Sequence, residues 1–400
     1  MKVFVVNAGS STLKYQVIDM TNEEMVCKGL CDKIGVADGS TGLVEQKTAD
    51  GRVYTEEISL PTHAEAFERV VFALTESSAK VLDSFDEIVA IGHRVVQGGS
   101  EYANSCLITP EVIAKIDELG ELAPLHNPAN LLAIRACIKT FGEDIPQVAV
   151  FDTSFHQTLE PKAFMYALPY EYYEKYGIRR YGAHGTSHKF VSERCAAIEG
   201  RDDLKVITCH LGSGCSISAV NAGKCCDTSM GFTPLDGFMM GTRCGTMDPS
   251  ALIYIAKKEN LSPDDINTIC NKKSGTLGIS CLTNDNRDLV AAAQNGNEKA
   301  ALALEMQTYQ IVKFIGSYIA AMNGVDAIVF AGGIGENSPG LRKNICSYLG
   351  YMGIKIDDKA NETRGKEIKI STDDSNVNVY VIPTNEELAI ARDTLAIISK

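Results

Sequence analysis

Val3-Phe4-Val5-Val6-Asn7-Ala8-Gly9-Ser10-Ser11-Thr12-Leu13-Lys14-Tyr15-Gln16-Val17 is written a second time near the middle of the chain. There it reads Val206-Ile207-Thr208-Cys209-His210-Leu211-Gly212-Ser213-Gly214-Cys215-Ser216-Ile217-Ser218-Ala219-Val220. In each copy an apolar strand enters a tight turn with a glycine, passes small hydroxyl residues and leaves as a second strand. With Val3 laid on Val206, Gly9 falls on Gly212 and Val17 on Val220, without a gap. Two such hairpins can offer backbone N–H groups to a polyphosphate from both sides of a cleft. A supersecondary unit that recurs half a chain apart predicts a duplicated fold.

Outward from the first copy, the pattern predicts a weaker β region around Gly39 to Ser59, a helix from Ala64 to Leu82 and a buried strand from Ile88 to Ile91. Helices fit Pro110 to Leu119 and Pro128 to Phe141, and Val148 to Phe151 reads as a buried strand ending at Asp152. Outward from the second copy, the hairpin turns at Asn221-Ala222-Gly223, and helices fit Pro249 to Glu259 and Lys299 to Met322. Ala327 to Ala331 is a buried strand breaking into Gly332-Gly333-Ile334-Gly335. Val377 to Ile382 is a last strand and Glu386 to Ile398 a last helix. The order predicts an α/β chain of two domains, residues 1–152 completed by the terminal helix 386–400, and residues 153–385, with the active site between them.

The totals narrow the function. The 400 residues are 45% hydrophobic, enough for sizeable cores, and carry a net charge of −13, which argues against a nucleic-acid partner. No apolar run approaches the ~20 residues a bilayer span needs, so no membrane partner is expected. The start of the chain lacks a signal-peptide pattern. The 13 cysteines, without a Cys-x-x-Cys pair, read as reduced thiols of a cytoplasmic protein, most serving as small core residues.

Six of the seven histidines, His93, His126, His156, His184, His188 and His210, fall in turns that carry Gly, Asn or Asp, which points to a shared cleft; His63 lies elsewhere. Arg94 and Arg243 each sit among glycines, where a forked guanidinium can meet an anion or simply lie on the surface. Asp152, just past a buried strand, can hold a metal, orient a nucleophile or cap a helix. His184 and His188 are four apart, but Gly185 stands where a zinc motif needs glutamate. Gly332 to Asn337 follows a strand, as nucleotide sites do, yet lacks the full Gly-x-Gly-x-x-Gly spacing, and the chain has no P-loop. Glu386 and Glu387 open a helix after Thr384 or Asn385 as cap; they can be ordinary N-terminal charge or part of a magnesium site.

Taken in order, NAGSSTLKY from Asn7, GHRVVQGG from Gly92, LHNP from Leu125, FDTSFH from Phe151, YGAHGTSH from Tyr181 and HLGSG from His210 closely resemble the acetate kinase family. DTSMGFTPLDG from Asp227, MGTRCG from Met240, GGIGEN from Gly332 and PTNEE from Pro383 extend the resemblance to residue 387. The resemblance implies a duplicated actin-like ATPase fold, related to ribonuclease H. It implies reversible transfer of a phosphoryl group between ATP and acetate, giving ADP and acetyl phosphate, in a homodimer that uses magnesium or manganese. It implies that Arg94 and Arg243 hold acetate and the transferring phosphoryl group, that His184 stabilises the transition state, that Asp152 is essential, and that Asn7 and Glu386 serve the metal. Ser10, Thr12 and Lys14 then belong to the first phosphate segment. His210, Leu211, Gly212, Ser213 and Gly214, with Asp285, Asn286 and Arg287 and with Gly333, Ile334, Gly335, Glu336 and Asn337, form the nucleotide site. Val96, Leu125, Ala183 and Pro234 fall where the family forms its methyl pocket. The chain departs from the family pattern at Gln97, Asp236, Ser213 and Asn286. The last two touch the nucleotide side and leave the phosphoryl donor open. Ala183 leaves propionate as an alternative substrate. A non-transferring ATPase, the rival from another class, predicts no acyl-anion clamp. The two hairpins are expected to divide the work, Lys14 serving the transferring group and the second copy, with Ile217 in the same register, the nucleotide's own phosphates.

Overall fold

A computed structural model describes residues 1–36, 41–124 and 126–400. Residues 37–40, at the edge of the expected β region, and Leu125 lie outside them. The chain divides into one unit of residues 1–154 and 385–400 and a second of residues 155–384.

The first unit is built on an eight-stranded sheet. Its strands are β1 (Lys2–Ala8), β2 (Thr12–Asp19), β3 (Glu24–Asp32), β4 (Gly42–Thr48), β5 (Val53–Ile58), β6 (Ile88–Val95), β7 (Cys106–Leu107) and β8 (Gln147–Phe151), in the order β5-β4-β3-β2-β1-β6-β8-β7. The second unit carries β9 (Lys205–Leu211), β10 (Cys215–Asn221), β11 (Lys224–Thr228), β12 (Ala327–Ala331), β13 (Ile368–Lys369) and β14 (Asn378–Val381), in the order β11-β10-β9-β12-β14-β13. An antiparallel ribbon, of five strands (β5-β4-β3-β2-β1) in the first and three (β11-β10-β9) in the second, continues into two parallel strands, as β1-β6-β8 and β9-β12-β14. The parallel strands are apolar runs because helices cover both faces.

The cores follow from alternation. Phe4, Val6 and Ala8 of β1 and Leu13, Tyr15 and Val17 of β2 point into one core, with Ala133, Cys137 and Phe141 of the helix Asn127–Phe141. Ile207, Cys209 and Leu211 of β9 and Cys215, Ile217 and Ala219 of β10 point into the other, with Ile311, Ile315 and Tyr318 of the helix Glu298–Met322. These positions expose a correction. The first strands of the two hairpins superpose as expected, but the second strands are offset by one residue. Ala8 pairs with Leu13 across four intervening residues, whereas Leu211 pairs with Cys215 across three. The second turn is one residue shorter, so Lys14 corresponds to Ser216 and not to Ile217, which is buried in the core.

Other boundaries also move. The helix expected to reach Leu82 stops at Thr75: it starts on the Thr62 side-chain cap, and Ser77 ends it by bonding its hydroxyl back to the Ala73 carbonyl at 2.8 Å. Strand β3 and the helix Gly185–Glu199 were not anticipated. Gly332 to Asn337, into which the strand Ala327–Ala331 breaks, is itself a six-residue helix ahead of the helix Pro339–Ser347. The terminal helix Glu386–Ile398, capped by Asn385, packs on β6, where Gly92 has no side chain and Ile390 comes close. Nine of the 13 cysteines are buried and none of those described is in a disulfide.

Candidate active site

In the first unit β1, β6 and β8 end side by side, and their last residues supply a charged cluster. Arg94 on β6 donates to Asp152 Oδ2 through Nη2 at 2.6 Å and Nε at 3.1 Å, and to Asn7 Oδ1 on β1 through Nη1 at 3.2 Å. Asp152 follows β8 directly, and its N–H is bonded to the Val95 carbonyl at 2.9 Å, so backbone pairing sets the carboxylate against the guanidinium. Asp152 is 1% exposed and the Arg94 side chain 22%. Burial alone would depress Arg94's pKa, but Asp152, Glu386 and Glu387 outweigh it and hold the guanidinium above its ordinary value. Half-buried Glu386 has no hydrogen-bond donor among the described residues. Burial first, and then Asp152 and Glu387, push its pKa from 4.5 to about 7, against the pull of Arg94 and Lys14.

Lys14 is exposed on β2, directly across from Asn7. The turn between them is closed by Gly9 N–H to the Thr12 carbonyl at 2.8 Å. His63, the histidine set apart in the sequence reading, reaches this turn: its Nε2 lies 2.8 Å from the Gly9 carbonyl. Its place at the start of a helix that packs beneath the turn carried no sequence signal. Asn130, also missed, donates to the Ala8 carbonyl at 2.8 Å and accepts from Val96 N–H at 3.2 Å, tying the end of β1 to the segment after β6. Val96 is buried.

The second unit gathers four of the expected histidines. His184 has φ +57°, a left-handed conformation that ends the incoming chain and opens the helix Gly185–Glu199. Its ring lies 4.2 Å from that of His210. Its Nδ1 is 2.8 Å from Ser216 Oγ, which is also 2.7 Å from Nε2 of His188. His188 continues through Nδ1 to Thr208 Oγ1 at 2.7 Å, and His210 is held by Ser187 at 2.8 Å. His156 packs edge-on against His188 and contacts the Ala183 carbonyl at 3.1 Å. His93 and His126 belong to the first unit. His93 is buried on Gln147 at 2.7 Å, and burial lowers its pKa to about 4, a structural role.

Arg243 joins this group through Gly214. A side chain at Gly214 would stand 3.4 Å from Arg243 Nη1 and 3.5 Å from His184 Cε1, so the glycine leaves the space between them open. Arg243 donates to the Pro234 carbonyl at 3.1 Å, and no carboxylate of the described residues pairs with it. Burial therefore lowers its pKa, only partly offset by Cys215. The Pro234 loop is braced by Asp236, which meets Arg180 at 3.2 Å and accepts from Thr246 at 2.6 Å.

The nucleotide candidates fall in two groups. The turn Gly212–Gly214 abuts the glycine helix: Gly332 has φ +75°, and a side chain there would come within 2.8 Å of the Leu211 carbonyl. Glu336 turns inward and accepts from Gly332 N–H at 2.8 Å and Thr384 N–H at 3.1 Å, while Ile334 and Gly335 pack on the core side. Gly333 is exposed. Asn286, Arg287 and Asn337 line an open cavity of about 570 Å³, with Leu304, Pro339 and Arg364. Asp285 caps the helix beginning at Asn286 and pairs with Arg287 at 2.6 Å. Ser213 supports the loop of Arg243 by accepting from Gly241 N–H at 3.2 Å.

Two sheets, each an antiparallel ribbon running into parallel strands, make this an α/β chain of the actin-like ATPase fold. The chain belongs to the acetokinase family, whose model matches residues 2–392. It is 57% identical to an acetate kinase of Methanosarcina mazei over 98% of this chain and 96% of that one. The crystal structure of Porphyromonas gingivalis acetate kinase matches with a TM-score of 0.94 and 44% identity, covering 99% of both chains. A propionate kinase from Francisella tularensis matches with a TM-score of 0.92 and 43% identity, again over 99% of both. No helix among the described residues is long and apolar enough to cross a membrane.

Proposed function

We propose that the chain is an acetate kinase, transferring the γ-phosphoryl group of ATP to acetate in one reversible, in-line step. The observation that carries this is Arg243, a half-buried cation with no carboxylate partner among the described residues, set beside His184 across the bare Cα of Gly214. Such a guanidinium is a seat for an anion supplied from outside.

Acetate is ionised at neutral pH, so its oxygen needs no general base. What opposes reaction is the approach of an anion to a polyanion, and catalysis reduces to positioning and charge stabilisation. In this reading Arg94 holds the carboxylate, Arg243 and His184 stabilise the equatorial oxygens of the moving phosphoryl group, and Asp152 fixes Arg94 rather than abstracting a proton. Lys14 and the first turn serve the transferring group. The second turn and the cavity at Asn286, Arg287 and Asn337 serve the nucleotide. Glu386, an acidic group without a donor among the described residues and at the edge of ionisation, together with Asn7 Oδ1, suits a hard cation bound largely through water. Those two residues would hold magnesium, which neutralises charge on the phosphates when bound. On family grounds we also assign a homodimer, which sedimentation equilibrium tests.

The test is chemical. Purified protein with ATP, magnesium and acetate is expected to form an acyl phosphate that hydroxylamine traps as acetohydroxamate. Propionate and butyrate run beside it decide the second reading, a propionate kinase, which the Francisella structure favours and buried Ala183 permits. One methylene shifts preference by only ~1–3 kcal/mol. No hydroxamate from any of the three acids would sink the assignment.

A further inference from the structure

The histidine cluster contains more order than phosphoryl stabilisation requires. From the Ser218 carbonyl, which can only accept, a line of polar atoms runs to His184. Thr208 Oγ1 lies 3.4 Å from that carbonyl and gives it its proton. Its oxygen then accepts from His188 Nδ1 at 2.7 Å. With Nδ1 protonated, neutral His188 accepts at Nε2 from the Ser216 hydroxyl, 2.7 Å away. Ser216 has spent its only proton, so its oxygen accepts from His184 Nδ1–H at 2.8 Å.

We propose that Ser216 and His188 are positioning residues that fix the tautomer of His184, holding the proton on Nδ1 so that Nε2 can donate only from the imidazolium. The inference rests on the reading of His184 as the side chain that stabilises the moving phosphoryl group. Neutral His184 would turn a lone pair toward the phosphoryl oxygens; the imidazolium turns an N–H.

Three features support the direction of the line. His188 is fully buried, and its burial, with His156 and His210 nearby, keeps it neutral well below the ordinary imidazole value. Ser216 occupies the place of Lys14 in the other hairpin because the second turn is one residue shorter, which brings this hydroxyl to the face of the sheet that carries His210. Ring contacts fix the spacing: His188 faces His156 at 5.9 Å and His210 at 6.4 Å, while His184 faces His210 at 4.2 Å and Arg243 across Gly214.

The tautomer is read directly from ¹⁵N spectra of histidine-labelled protein above the pKa of His184. Wild type is expected to show neutral His184 protonated at Nδ1. Thr208→Val removes the acceptor that orients His188, so the line reverses and the proton moves to Nε2; Thr208→Ser retains the hydroxyl and the wild-type pattern. Ser216→Ala breaks the line. In it kcat at pH 7 falls about tenfold, and the alkaline limb of the kcat profile moves up by about one pH unit, because neutral His184 can now donate from Nε2. Wild-type His184 protonated at Nε2, or variants whose kcat drops uniformly with no change in profile, would overturn the proposal. The spectra do not depend on turnover, so a failed hydroxamate assay and a failed tautomer assignment are separate results.

Discussion

Arg94 and Arg243 carry the same charge in opposite settings. Arg94 is locked on a carboxylate that is 1% exposed and is further surrounded by Glu386 and Glu387. Arg243 has a carbonyl and a thioether as partners and His184 across Gly214, and burial works against its charge. The first is part of the fold's own electrostatic balance; the second is a cation with no carboxylate partner among the described residues. A protein tolerates the second arrangement where a ligand supplies the missing charge.

Removing each arginine separates the two cases. Arg243→Ala is expected to lower kcat by ~10³-fold or more, as for other arginines that act on a transferring phosphoryl group. Its melting temperature should stay level or rise, since an uncompensated half-buried charge is lost. Turnover close to wild type would remove Arg243 from the reaction. Arg94→Ala should lose activity by orders of magnitude while ATP still binds. It should also lose stability, by about 3–5 kcal/mol, because the buried Asp152 loses the guanidinium it is paired with. Urea melts of Arg94→Ala beside the double variant with Asp152→Asn check this. The double variant should regain stability but not activity, and equal stability of the two would refute the account.

The same contrast shows what the residues alone disclose. The strands of the hairpins, the parallel strands at Ile88 and Ala327, and the long helix near Lys299 were legible because burial imposes a period of two or of 3.6 along the chain. The class of fold and the family were legible because the motifs occur in order. The offset between the hairpins was not legible. The strand Cys215–Asn221 is small or apolar at nearly every position, so an alignment without a gap looked as good as one with a gap. Only the pairing of Leu211 with Cys215 shows that Ser216, not Ile217, faces His184. His63 and Asn130 were also missed, since each acts on a backbone carbonyl of a distant segment, a contact that leaves no spacing to read.

Glu386 sharpens the comparison through pH. In the folded protein its carboxyl keeps its proton up to about 7, whereas the unfolded chain releases it near 4.5. Between those values the native state binds more protons, so wild-type stability, without metal or nucleotide, falls as pH rises through the window and levels off above it. Glu386→Gln should lack that slope and exceed wild type above pH 7 by roughly 1–3 kcal/mol. Magnesium activation should strengthen in wild type as pH passes 7 and be weak in the variant. Denaturation curves at pH 4.5 and pH 8 that shift in parallel for the two proteins would rule out this role for Glu386.

The smallest effect is expected where an arginine is neither locked nor half-buried. Arg287 is 89% exposed and pairs with Asp285 at 2.6 Å, which lowers the Asp285 pKa to about 2. An exposed pair of this kind adds little to stability, so Arg287→Ala should leave the melting temperature unchanged. The side chain nevertheless lines the cavity assigned to the nucleotide. Its loss should raise KM for ATP about two- to fivefold at low salt, the scale of one screened surface charge, with kcat and KM for acetate unaltered. The ATP effect should fade as ionic strength rises, because water screens Arg287 as it does not screen Arg243. A KM for ATP that stays at the wild-type value at low salt would move the nucleotide away from Asn286 and Arg287, while leaving the assignment of the two half-buried arginines intact.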